Sequence, residues 1–126
     1  MSRPALYVTQ GSYGEAWVFQ ALDEMGEKVD LTDATAAFFS MRLRATGAVK
    51  FSRKTAEVGN GTYTLPDGSI RSFTPADGVL IYRPNAGDSD ADVPGAFEGL
   101  FEYTLPAGPV RKPGLGYLDI NIQPAF

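Results

Sequence analysis

The chain has 126 residues with 11 basic and 15 acidic side chains, a net charge of −4, and neither cysteine nor histidine. Disulfide staples, zinc sites built from Cys or His, and catalysis by imidazole or thiolate are excluded, because those groups are absent. Net acidity argues against a nucleic-acid partner, whose phosphates are neutralised by Lys and Arg.

A chain of this size buries roughly two-thirds of its unfolded surface, so one domain is expected over residues 1–126. No run approaches the ~18 apolar residues of a membrane span. The N-terminal residues, from Met1 to Val8, lack the apolar core of a signal peptide. The 14 glycines and 9 prolines are spread throughout, and apolar residues alternate. That combination predicts short strands joined by turns.

The first predicted strand covers residues 6–9 and closes at Gly11. The second covers 15–22, with Trp17, Phe19 and Ala21 on one face. A turn at 23–27 follows. The third runs over 34–44. Its Ala37, Phe39, Met41 and Leu43 form a core side, and Phe38, Ser40, Arg42 and Arg44 a mostly wet side. Phe38 stands out there as an apolar residue on a polar face, and marks a candidate subunit contact.

The fourth run, 49–58, ends at Gly59-Asn60-Gly61, whose Asn-Gly predicts a tight hairpin turn. Residues 62–65 return, Pro66-Asp67-Gly68 turns again, and 69–73 follows. The stretch 57–77 reads as an inserted hairpin or meander. Residues 79–83 are a clear strand. The segment 84–95 is acidic, rich in small residues, and expected to be a solvated loop. Residues 96–105 alternate well, with Phe97, Gly99, Phe101, Tyr103 and Leu105 facing one way. Pro106 opens the last loop, and 115–123 is the final strand, with Leu118, Ile120 and Ile122 inward. About seven to nine strands spaced by turns predict a β-sandwich.

Candidate chemistry is sparse. Asp88, Asp90 and Asp92 have the spacing of a calcium loop. The positions that an EF-hand fills with Gly and Glu hold Val93 and Gly99. Glu98 and Glu102 face the same way but stand roughly 13 Å apart along a strand, too far for a glycosidase acid and base. Gly59-Asn60-Gly61 and Gly114-Leu115-Gly116 do not lead into a helix, so neither makes a phosphate cradle. Trp17, Phe19, Phe38, Phe39, Phe97, Phe101 and Tyr103 either build a core or offer a sugar-stacking platform. Their places in alternating strands favour a core. No cofactor and no catalytic residue is expected, and the chain does not read as an enzyme.

The order of features resembles the N-terminal immunoglobulin-like domain of bacteriophage baseplate upper proteins. Gln10-Gly11-Ser12-Tyr13-Gly14 precedes the strand with Trp17 and Phe19. Gly26-Glu27-Lys28-Val29-Asp30-Leu31-Thr32-Asp33-Ala34 resembles that family's G-x-x-V-D-L-T-G-A step, before Phe39-Ser40-Met41-Arg42. Gly78-Val79-Leu80-Ile81-Tyr82 resembles the strand before the family's acidic loop. Pro94-Gly95-Ala96-Phe97-Glu98-Gly99 resembles its P-G-x-Y/F opening of a strand. Residues 108–113 and Leu118-Asp119-Ile120-Asn121-Ile122 resemble a terminal loop and strand. The connection at 57–77 is longer here, and many relatives continue beyond the point that Phe126 marks.

The resemblance implies an all-β, immunoglobulin-like antiparallel β-sandwich. It implies a virion structural protein of a tailed phage, an assembly or adaptor part of tail or baseplate. Its partners would be other virion proteins and copies of itself, with no nucleic acid and no membrane. It would be made in the host cytoplasm and reside in the virion. The expected contact residues are Leu6 and Tyr7 on an N-terminal arm, Phe38, the insert residues Tyr63, Leu65, Ile70 and Phe73, and Phe126. A head-decorating protein and a carbohydrate-binding sandwich module are the alternatives.

Overall fold

The computed structural model describes residues 5–23, 25–112 and 118–125. Eleven strands are described: β1 (Ala5–Thr9), β2 (Trp17–Gln20), β3 (Ala36–Leu43), β4 (Val49–Thr55), β5 (Glu57–Val58), β6 (Gly61–Thr64), β7 (Ile70–Phe73), β8 (Val79–Tyr82), β9 (Gly95–Leu105), β10 (Gly108–Lys112) and β11 (Leu118–Gln123). They form a six-stranded sheet in the order β1-β11-β9-β3-β4, with β10 also on β9, and a three-stranded sheet β2-β8-β5. A β6-β7 pair stands beside them. This is an all-β sandwich. β2, β8 and β5 take the places of immunoglobulin strands B, E and D, and β11, β9, β3 and β4 those of G, F, C and C′.

The core forms where inward residues of the two sheets meet. Phe39 on β3 is its centre, with ring centroids 4.5 Å from Phe101, 4.9 Å from Tyr82 and 6.2 Å from Trp17. Val8, Met41, Leu80, Phe97, Tyr103, Leu118, Ile120 and Ile122 complete it. Alternation produces this directly, since β3 and β9 pair from Ala36 opposite Thr104 to Leu43 opposite Phe97 and bring their apolar faces into line. Gly99 sits at a tight point of the core, where a Cβ would lie 2.7 Å from both Ile120 and Phe39. Of the aromatics read as core residues, Trp17, Phe39, Phe97, Phe101 and Tyr103 are core, Phe19 is half-buried against it, and Phe38 lies outside it.

A second apolar cluster lies on the other side of the small sheet. All four residues of β8 are buried. Leu80 and Tyr82 join the main core, while Val79 and Ile81 pack with Ala16, Tyr63 and Leu65. The β6-β7 hairpin thus forms a third layer over β8. Its attachment includes the Ala16 N–H donating to the Thr64 carbonyl at 2.8 Å.

Four expectations are corrected. The run 49–58 is not one strand: β4 pairs with β3 and β5 with β8, so the chain changes sheets at buried Ala56. Gly59-Asn60-Gly61 is not a hairpin turn, because the strands on its two sides belong to different sheets. The last loop contains a strand, β10, folded back on β9 from Gly108 opposite Leu105. The sandwich is not wholly antiparallel, since β1 runs parallel to β11 from Ala5 opposite Asp119 to Thr9 opposite Gln123. Of the predicted final strand, residues 115–117 lie outside the described residues.

Candidate functional site

The acidic segment is built into the fold rather than left in solvent. Asn85 caps a short 3-10 turn by accepting from the Gly87 N–H at 2.8 Å. Asp90 then points inward and is 1% exposed. Its carboxylate takes the Lys54 ammonium at 2.7 Å, the Asn85 N–H at 2.8 Å and the Tyr82 hydroxyl. Tyr13 donates to Asp92 Oδ1 at 2.5 Å and accepts from the Ala91 N–H at 2.9 Å. The Gln10 amide and the Gly11 N–H fasten the same stretch to the carbonyls of Asp92 and Ala91. The Tyr13 hydrogen bond holds the Asp92 carboxyl below the ordinary carboxylate range. Asp90 and Asp92 are thus turned to different protein partners. Among the described residues, no group of three acidic side chains is arranged to hold a metal ion.

The outer face of the large sheet is a ladder of ion pairs. Arg42 meets Glu98 at 3.2 Å, Arg44 meets Asp119 at 2.9 Å, and Arg53 and Arg111 both meet Glu102, at 3.7 and 3.6 Å. Glu98 and Glu102 share a face as predicted, but each is held by arginine, and Glu98 is buried rather than wet. Phe38 lies on this face, half-buried, with the Arg53 guanidinium 4.5 Å above its ring. It lines a cavity of about 460 Å³ together with Arg53, Glu102 and Arg111.

The expected contact residues divide. Tyr63 and Leu65 are buried in the layer against β8, so their assignment as surface contacts is corrected: the hairpin folds back and covers them. Phe73 is half-buried against Tyr63, 6.1 Å between centroids, with Arg71 above its ring at 5.5 Å. Ile70 is exposed at 69% and Tyr7 at 62%. Leu6 is half-buried. Phe126 lies outside the described residues. Leu6, Tyr7 and Leu65 are brought together around one open cavity of about 300 Å³, with Val18 and Pro66, between the arm and the hairpin turn.

Sequence reasoning missed four exposed apolar residues: Leu22, Met25, Val49 and Val93. Met25 was findable, because it sits between Asp23 and Gly26 in a predicted turn. The Asp23 carboxylate there accepts the N–H groups of Met25 and Glu27 and fixes the tip. Many of the ionisable side chains are thus paired within the chain. What the molecule offers outward includes apolar side chains and the backbone of its sheet edges. No family model, no curated protein and no solved structure matches the chain.

Proposed function

We propose that the protein is a structural part of a tailed-phage virion, an assembly or adaptor component of tail or baseplate that acts by packing against neighbouring subunits. The observation that carries this reading is the arm and its cavity. Tyr7 stands largely in water at the rim of a hollow lined by Leu6, Val18, Leu65 and Pro66 with Asp67 at its edge, and clustered apolar surface of that kind marks contact sites in assemblies. The order of motifs along the chain supports a tail location, since it is the order of the baseplate family named above. The ion-paired outer face and the stitched acidic loop supply a rigid block whose shape persists as subunits dock.

The test is composition of the particle. Virions banded by density are expected to contain the chain in multiple copies by quantitative mass spectrometry, with antibody label at the tail end in electron micrographs. Particles that are complete and infectious without it overturn the proposal, and label over the head moves the protein to the decorating class.

A further inference from the structure

We infer that β1 is a self-pairing edge, by which two copies join through antiparallel addition of β1 to the second copy's β1 about a two-fold axis at Tyr7. The inference rests on the assembly reading and adds to it a partner and a geometry.

A sheet edge presents unpaired backbone donors and acceptors, and proteins guard such edges with charge, proline or a bulge. The two ends of the large sheet differ in this respect. At one end β4 carries Lys50, Arg53 and Lys54. Its pairing with β3 slips in register, and Arg53 takes a φ of 54° while its N–H turns to the Ser40 hydroxyl at 2.9 Å. That edge is guarded twice over. At the other end β1 reads Ala5-Leu6-Tyr7-Val8-Thr9, with no charge and no proline. It holds an unbroken register with β11, and no described strand lies on its far side.

The sequence of β1 also fits itself. Antiparallel pairing centred on Tyr7 sets Ala5 opposite the second copy's Thr9, Leu6 opposite its Val8, and Tyr7 opposite its Tyr7. No pair in that register brings charges together; the nearby charge is Asp67 at the rim of the hollow, which added salt screens. Ala5, Tyr7 and Thr9 are the exposed positions, and Val8 is buried. The two tyrosines therefore meet on the outer surface, an aromatic cross-strand pair. Leu6 and the second copy's Val8 meet on the inner side, next to the hollow that Leu6, Val18 and Leu65 line. Every pair in this register is uncharged, and it sets an aromatic pair at the centre with aliphatic pairs on both sides, so the second copy's β1 is the occupant that the strand's own side chains suit.

The chain has no cysteine, so a single introduced thiol reports the geometry without background. In the inferred pair, Tyr7→Cys sets two Cβ atoms about 4.5–5.5 Å apart, close to the separation a disulfide bridges. Thr9→Cys sets its two thiols four residues out of register, roughly 13 Å apart. Mild oxidation is expected to turn most of Tyr7→Cys into a covalent dimer on a non-reducing gel and to leave Thr9→Cys and Ile70→Cys monomeric. In sedimentation, Tyr7→Lys is expected to shift the unmodified dimer to monomer, with a Tm equal to that of the wild type diluted until it is monomeric, and Ile70→Lys to leave it dimeric. A wild-type chain that sediments as a monomer, or a Tyr7→Cys chain that links no faster than Ile70→Cys, overturns the inference. A chain present in virions that fails to cross-link keeps the assembly role and loses the self-pairing. Cross-linking by a chain absent from virions removes the assembly role and leaves the dimer standing.

Discussion

Truncating Asp90 removes the buried carboxylate that ties the 84–95 segment to Lys54 and Tyr82, beside the buried Ala91. Asp90→Ala takes away the carboxylate shared by the Lys54 ammonium, the Tyr82 hydroxyl and the Asn85 N–H. Breaking a buried ion pair costs about 3–5 kcal/mol, chiefly because the remaining groups lose a partner for which they were desolvated. The Lys54 side chain is 25% exposed, and its ammonium also lies 4.6 Å over the Phe51 ring. It turns toward water more easily than a fully enclosed cation, which puts the loss at the low end, ~3 kcal/mol. With an unfolding entropy near 2.1 cal/mol/K per residue, that loss lowers Tm by roughly 11 °C in a chain of this length. Asp90→Asn keeps an acceptor and gives up the charge, so it falls between wild type and Asp90→Ala. Asp92→Ala, at an exposed carboxylate, changes Tm by a few degrees at most. Differential scanning calorimetry with urea titration reads all three. A loss below about 1 kcal/mol for Asp90→Ala, or one no larger than for Asp92→Ala, refutes the claim that Asp90 anchors the segment.

Two further outcomes follow from the packing and the turns. Gly99→Ala forces a Cβ into Phe39 and Ile120 at 2.7 Å, an overpacking cost of about 1–3 kcal/mol that a lowered urea midpoint reveals; an unchanged midpoint means that the core is looser than described. Asp30 and Asp67 accept hydrogen bonds from Thr32 and Ser69, which hold both carboxyls below the ordinary range. A depressed folded value contributes stability above the unfolded pKa and loses it as pH falls through the folded one. Asp30→Ala/Asp67→Ala is therefore expected to melt below wild type at pH 7 and to converge with it as pH falls past the ordinary Asp range and through the depressed folded values. Parallel curves at all pH values contradict this.

The strands that alternate cleanly were legible. β3, β9 and β11 face the way their sequences say, because each has one face in the core and one outside it. What failed to show is what tertiary pairing decides. Residues 49–58 read as one strand because nothing local at Ala56 announces a change of sheet; the break exists because β3 and β8 each claim one end. Asn60-Gly61 carries a strong local turn signal, but its flanks answer to different partners. Tyr63 and Leu65 read as free because nothing local shows that a hairpin outside the sandwich folds back over β8. Val79-Leu80-Ile81-Tyr82 held the clue: four consecutive apolar residues mark a strand buried on both faces, and such a strand requires a cover. Asp90 gave no local sign, since its burial depends on Lys54, 36 residues away in sequence. Tyr7 is exposed as expected, whereas Leu6 beside it is half-buried and the expected arm is the sheet strand β1. Their cavity was not readable, because Val18 and Pro66 come to it from separate elements.

The parallel pairing of β1 with β11 has a mechanical meaning. The two outermost described strands of the chain lie side by side and point the same way, with five residue pairs in unbroken register. A pull applied at Ala5 and at Gln123 drags them past each other along their length. Every hydrogen bond of the ladder then bears the strain at once, as in tearing a glued lap joint along its plane. An antiparallel hairpin pulled from its open end is instead unzipped one bond at a time. A subunit strung between neighbours by its two ends would resist extension at this seam, and the core behind it would be loaded only after the seam had sheared.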